Sequence, residues 1–125
     1  MQKKPGDILF VNYGREDSPS SLDVLGEYPV TGFDIECADL LANWAPPVII
    51  TEAGLDPFPT QVQGIYTPFH VLLIVGMGIH LVDNATLTEL TKTCRELGRY
   101  EFLCAMAPLN IRGASSSLLN PLAIF

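Results

Sequence analysis

Two imidazoles, His70 and His80, and the carboxylate of Asp83 stand close together in a chain that has no other histidine. Such a set could ligate a divalent transition metal, or it could do acid–base chemistry with a carboxylate orienting an imidazole. The spacing matches no tight ligand motif. On a plain strand His80 and Asp83 point to opposite faces and would chelate together only across a bulge. Glu52 and Asp56 flank a glycine-containing turn after an apolar run, a place where sites often form, although turn carboxylates are usually just solvated. Gly76-Met77-Gly78 lacks the strand–turn–long helix setting of a nucleotide loop, and Ser115-Ser116-Ser117 lacks a nucleophile elbow. The stretch from Gly113 to Ser117 reads as a plain turn, with anion binding as the alternative.

The elements that must position these residues alternate between buried strands and amphipathic helices, which means an α/β or α+β domain. Pro5-Gly6-Asp7 makes a turn before Ile8-Leu9-Phe10-Val11, a continuous apolar run that predicts a buried strand. Residues 14–32 are polar and rich in Ser, Pro, Asp and Gly, and predict a surface loop or oligomer arm. Asp34 is placed to cap a helix from Ile35 to Trp44 that Pro46-Pro47 stops. Val48-Ile49-Ile50-Thr51 predicts the next buried strand, and residues 53–67 an ordered loop. A short helix over 68–75, with proline in its first turn, precedes a strand over 79–82. Thr86 and Glu89 form a capping box for a helix over 86–97, which Gly98 ends. Strands over 102–107 and 121–125 close the chain.

Bulk composition bounds the reading further. With 125 residues, 48% hydrophobic and 17% charged, the chain predicts one folded domain over 1–125 with a substantial core. A net charge of −7 argues against nucleic-acid binding, which demands a basic face. Cys37, Cys94 and Cys104 are far apart and form no CxxC pair, so reduced thiols and a cytoplasmic setting are expected. No signal peptide precedes the first apolar run, and no apolar stretch is long enough to span a bilayer. The initiating methionine and the Lys-Pro-Gly-Asp opening favour a complete product.

The run His70-Val71-Leu72-Leu73, then Gly78-Ile79-His80-Leu81-Val82-Asp83-Asn84, then Leu87 and Leu90, resembles the C-terminal half of the cyclase family. That family contains metal-dependent hydrolases such as the bacterial kynurenine formamidases. Gly98-Arg99-Tyr100-Glu101-Phe102, Ala107-Pro108-Leu109-Asn110-Ile111 and Asn120-Pro121-Leu122-Ala123-Ile124 are similar to its closing strands. Pro5-Gly6-Asp7-Ile8-Leu9-Phe10 is similar to the strand after its metal-binding segment. The resemblance implies a swivelling β/β/α domain, truncated here and completed by oligomerisation. It also implies zinc or manganese held by an HxGTHxDxPxH segment, a later His and a later Glu. His70 matches the later His and Asp83 stands where the Glu would be; the HxGTHxDxPxH segment has no counterpart in the chain.

Catalytic zinc takes about three protein ligands and an open position, and His70 and Asp83 supply two. The first expectation is therefore an enzyme without a metal cofactor. His70 and Asp83, with His80 in second rank, would carry out cyclisation, isomerisation, dehydration or addition on a small metabolite, in a secondary-metabolic role. Tyr66, Phe69 and Met77 would wall its pocket. The alternatives are a zinc or manganese hydrolase with a reduced or intersubunit site, and a non-catalytic half-domain that binds a partner. Each of these predicts a homodimer or larger homo-oligomer.

Overall fold

Val48-Ile49-Ile50-Thr51 lacks the alternation of a half-buried strand, and a central parallel strand covered on both faces accounts for this. In a computed structural model of the protein, which describes residues 3–15 and 30–125, this run is β2 (Val48–Thr51). It pairs in parallel with β1 (Leu9–Val11) on one side and β3 (His80–Val82) on the other. Ile49 and Ile50 point to opposite faces, and both are 0% exposed. The run ending at Val11, which predicts a buried strand, is instead the outer strand of the sheet among the described residues, and its three residues are only half-buried. Val11 is in register with Thr51, and Ile50 with Val82, so all three strands finish at one edge of the sheet. Most of the expected loop over 14–32, residues 16–29, lies outside the described residues.

Parallel neighbours need long crossovers, and each crossover here carries a helix. Between β1 and β2 runs α1 (Cys37–Trp44), which starts two residues later than the sequence predicts. Asp34 organises its approach: Oδ1 accepts the Glu36 N–H at 3.0 Å, and its carbonyl accepts the Cys37 N–H at 2.8 Å. The helix ends at Ala45, in the left-handed region at φ 48°, whose N–H reaches the Leu41 carbonyl at 2.8 Å; Pro46-Pro47 cannot continue the helix.

The crossover from β2 to β3 holds α2 (Pro68–His70), with proline in the first turn, where no amide is required. In place of the single helix expected over 68–75, the chain widens after His70 into a π-helix over Val71–Gly76. Such wide turns are rare and recur at functional sites. Phe69 and Leu73 point inward and join Leu41, Ile49, Leu55 and Ile79 in the core. Val71, Ile74 and Val75 face outward.

Residues 1–88 form one compact unit and residues 89–125 a second. The second contains nearly all of α3 (Thr88–Leu97), which begins two residues after the expected start at Thr86. It ends at Gly98, at φ 60°, where the Arg99 N–H returns to the Cys94 carbonyl at 3.1 Å. β4 (Leu103–Ala105) and β5 (Leu122–Ile124) are antiparallel and shorter than the sequence predicts. Phe102 and Phe125 pack with ring centroids 5.1 Å apart, and the Arg99 guanidinium lies over Phe125. No helix among the described residues is long and apolar enough to cross a membrane.

One glycine in the first unit is set by close approach. Residues 30–33 run against 55–58, with Val30 bridging Phe58 and the Phe33 N–H donating to the Leu55 carbonyl at 2.9 Å. A Cβ on Gly32 would meet the backbone of Leu55, Asp56 and Pro57, lying 2.6 Å from the Asp56 carbonyl carbon. Gly32→Ala is expected to destabilise the protein by about 1–3 kcal/mol, as overpacking does. Urea unfolding checks it: a midpoint equal to that of the wild type would contradict this packing.

Candidate active site

The carboxyl edge of the parallel sheet is where ligands bind in open α/β folds, and the site residues gather there. β2 ends in Thr51, which is completely buried. Its hydroxyl hydrogen-bonds the Ala53 carbonyl and reaches Asp83 Oδ1 at 3.3 Å. Asp83 directly follows β3. Asn84, in the left-handed region at φ 57°, then turns the chain so that the Ala85 N–H reaches the Thr51 carbonyl at 2.9 Å. Asparagine tolerates that conformation better than most residues do. Asp83 is thus held from both sides by β2. Beyond β1, Arg15 Nη1 donates to Asn84 Oδ1 at 2.9 Å, which ties the three strand ends together.

His70 stands opposite, at the end of α2. Its Nδ1 lies 2.6 Å from Asp56 Oδ2 and its Nε2 lies 2.8 Å from Asp83 Oδ2. Asp56 also accepts the backbone N–H groups of Phe69 at 2.6 Å and His70 at 3.2 Å. These are amides of the first helical turn, which have no partner within the helix. A carboxylate distant in sequence therefore caps α2 and holds the ring of the helix's last residue. The Asp56 side chain is only 6% exposed, against 30% for His70 and 25% for Asp83. The expectation that Asp56 is merely solvated is corrected: its charge is buried and spent on three donors.

Burial pulls the His70 pKa down, but hydrogen bonds and charge from Asp56 and Asp83 outweigh it and leave the value raised. An imidazolium can donate from both nitrogens at once, whereas the neutral ring has a single N–H. The arrangement therefore favours the protonated ring.

Sequence reasoning does not pick out Tyr13, two residues beyond β1. Its hydroxyl is shut off from solvent and has no hydrogen-bond partner among the described residues. Burial, then the charges of Asp83, Cys37 and Asp56, push its pKa upward, so the phenol keeps its proton. An unsatisfied buried hydroxyl costs about 1–3 kcal/mol. Only the three-dimensional path of β1 brings this tyrosine to the carboxyl edge.

The other expected site residues are placed differently. His80 is exposed on β3, on the opposite strand face from Asp83, and is not brought to His70. Phe69 is 0% exposed and packs against Phe33 in the core, so it offers no surface to a substrate. Met77 is half-buried against the same core. Tyr66 is 75% exposed, with its ring beside Phe58. Glu52, just past β2, is buried, with its N–H bonded to the Val11 carbonyl.

The donor set can be tested against zinc or manganese. His70 Nε2 and Asp83 Oδ2 are adjacent, and a carboxylate on the far ring nitrogen is the usual outer partner of a metal-bound histidine. However, no group of three His, Cys, Asp or Glu among the described residues is arranged to hold an ion. Two donors fall short of a catalytic zinc site, so these residues do not by themselves fit the metal.

No family model matches the chain, and no curated protein does. Among solved structures, the chain resembles a crystal structure described as that of a novel cyclase, with a TM-score of 0.83 and 31% identity. The match covers 99% of this chain and 42% of that protein, so the chain spans less than half the length of this relative. The fold is cyclase-like.

The raised His70 pKa ties stability to pH. Unfolded, the imidazole has its ordinary value near 6.5. The native preference for the proton stabilises the fold fully below that value, and this contribution is lost as pH rises through the higher native pKa. NMR titration of the two histidines should show a His70 midpoint above 6.5. Asp56→Asn, which keeps an acceptor for α2 but removes the charge, should lower that midpoint. An unchanged midpoint in this variant would contradict the assigned cause.

Proposed function

We propose that the protein is a cyclase-type enzyme in which His70 does acid–base chemistry on a small, uncharged, carbonyl-bearing or aromatic metabolite, without a metal. One observation carries this reading: both ring nitrogens of a part-exposed imidazole are gripped by carboxylates, at 2.6 and 2.8 Å. Asp56 fixes the ring through Nδ1 and leaves Nε2 as the working nitrogen. The favoured imidazolium makes His70 a general acid in the resting state, and Asp83 beside Nε2 exchanges the proton with it. Cyclisation, isomerisation, dehydration and addition all need a proton delivered at one atom and removed at another, which such a pair can supply. The cyclase description of the structural relative supports the reaction class.

His70→Asn should lower turnover of carbonyl metabolites about 10²–10⁴-fold with the fold intact, and activity should survive dialysis against a chelator. A second reading is favoured by the adjacency of His70 Nε2 to Asp83 and by Asp56 on the far nitrogen. In it, these residues are half of a zinc or manganese hydrolase site completed from another subunit or chain segment. Stoichiometric metal in the purified protein, with activity lost on chelation, would sink the metal-free account and favour this one.

Self-association is part of the proposal. Leu103, Leu122 and Ile124 are 66%, 55% and 50% exposed, on a two-stranded pair of a kind that is marginal alone in water. A second copy of the chain would cover them. Sedimentation should give a dimer or larger species; a stable monomer at micromolar concentration would exclude it.

A further inference from the structure

Thr51 places a hydroxyl at the end of a strand that is otherwise apolar. It is as completely buried as Ile49 and Ile50 before it. Valine has the same branched shape without the oxygen, and a buried hydroxyl is costly unless it is bonded. The Thr51 hydroxyl donates to the carbonyl of Ala53, itself a buried residue, and shares its proton with Asp83 Oδ1 at 3.3 Å. Such three-centre bonds are common. The first contact closes the local turn after β2. The second reaches a different strand end, and the turn has no need of it.

Thr51 meets the segment after β3 twice. Its backbone carbonyl accepts the Ala85 N–H at 2.9 Å, beyond Asn84. That bond fixes the backbone but leaves the carboxylate of Asp83 free to rotate, because the terminal torsion of aspartate is broad. The bond from His70 Nε2 to Oδ2, at 2.8 Å, is a single point about which the carboxylate could pivot. A second point on Oδ1 stops it. Asp56 needs no such help, since its side chain is nearly buried and held by three donors. We infer that Thr51 is a positioning residue for the acid–base pair: its hydroxyl holds Oδ1 of Asp83, which keeps Oδ2 aligned with His70 Nε2. Proton exchange between these two atoms depends steeply on their alignment, although Thr51 itself touches neither His70 nor a substrate.

This inference rests on the acid–base reading of His70, and its test uses the resting protein. The probe is the His70 Nε2–H proton, whose exchange with water, followed by NMR, reports its bond to Asp83. Thr51→Val keeps the branched shape and the backbone bond to Ala85 and removes only the hydroxyl. Exchange should become about tenfold faster, the worth of one hydrogen bond. Thr51→Ser, which restores the hydroxyl, should return the wild-type rate. In an Asp83→Ala background Thr51→Val should change nothing further, because the hydroxyl acts through the carboxylate. A wild-type rate in Thr51→Val, a serine variant as fast as the valine one, or an undiminished effect without Asp83 would each overturn the role. If Thr51→Val does not fold, Asp83→Ala reads the same contact from the other side. The Thr51 hydroxyl resonance should shift in that variant, and an unmoved resonance would overturn the role as well. The acid–base reading is tested separately, by turnover in His70→Asn. Full turnover there would sink that reading and leave Thr51 only as a tether of Asp83. Lost turnover there, with a wild-type exchange rate in Thr51→Val, would keep the reading and remove Thr51 from it.

Discussion

The Asp56 carboxylate is the constraint on which the rest of the first unit turns. A buried carboxylate is costly unless hydrogen bonds replace its water, and this one takes two backbone amides and one imidazole. The amides belong to the start of α2, and the imidazole belongs to that helix's last residue. One charge therefore fixes the entry of the helix, the orientation of its side chain and the protonation of the ring. The cradle around it is backbone. Residues 30–33 lie so close to 55–57 that only a glycine fits at position 32, and the loop carrying Asp56 cannot drift outward without breaking that contact.

The parallel sheet supplies the facing wall. Strands that run the same way deliver their following residues to one edge, and here that edge receives Tyr13 after β1, the end of β2 at Thr51, and Asp83 after β3. Thr51 is central to the sheet and completely buried, and its hydroxyl, bonded to the Ala53 carbonyl, also lies 3.3 Å from Oδ1 of Asp83, one residue beyond β3. His70 meets Asp83 because both are held, one by a cap from a distant loop and the other by the sheet.

Sequence reasoning reaches what local chemistry determines. The unbroken β2 run, the helix ended by Gly98 and the pairing of prolines after α1 each contain their own physical cause. His70 and Asp83 are legible as chemical residues, and their adjacency is not, because it depends on a crossover and a turn at Asn84. Asp56 is harder still. A turn aspartate looks the same in sequence whether it is solvated or buried against a helix start thirteen residues on. Tyr66, Phe69 and Met77 are attractive as pocket walls only by nearness in sequence to His70. The helix containing Phe69 turns that ring into the core instead, since neighbouring side chains on a helix point in different directions and His70 is one position on. His80, exposed on β3, is turned away from Asp83 by the corresponding alternation in a strand.

The cluster also constrains the choice between the two chemistries. Asp56 and Asp83 bring two negative charges to one imidazole, and a positive charge between them relieves the repulsion. A proton on Nε2 does this by making the ring an imidazolium that donates to both carboxylates. A divalent ion at the same place would need the Nε2 lone pair that the proton occupies, so the two cations compete for one position. The geometry shared by the two readings, with Nδ1 bound to a buried carboxylate and Nε2 facing a more exposed one, is therefore ambiguous by construction. The count of further donors breaks the symmetry. The proton is satisfied by the ligands already present, whereas an ion would require at least one more, and the described residues do not place one there. The proton therefore needs only the groups already at His70, and an ion needs a donor from beyond the described residues.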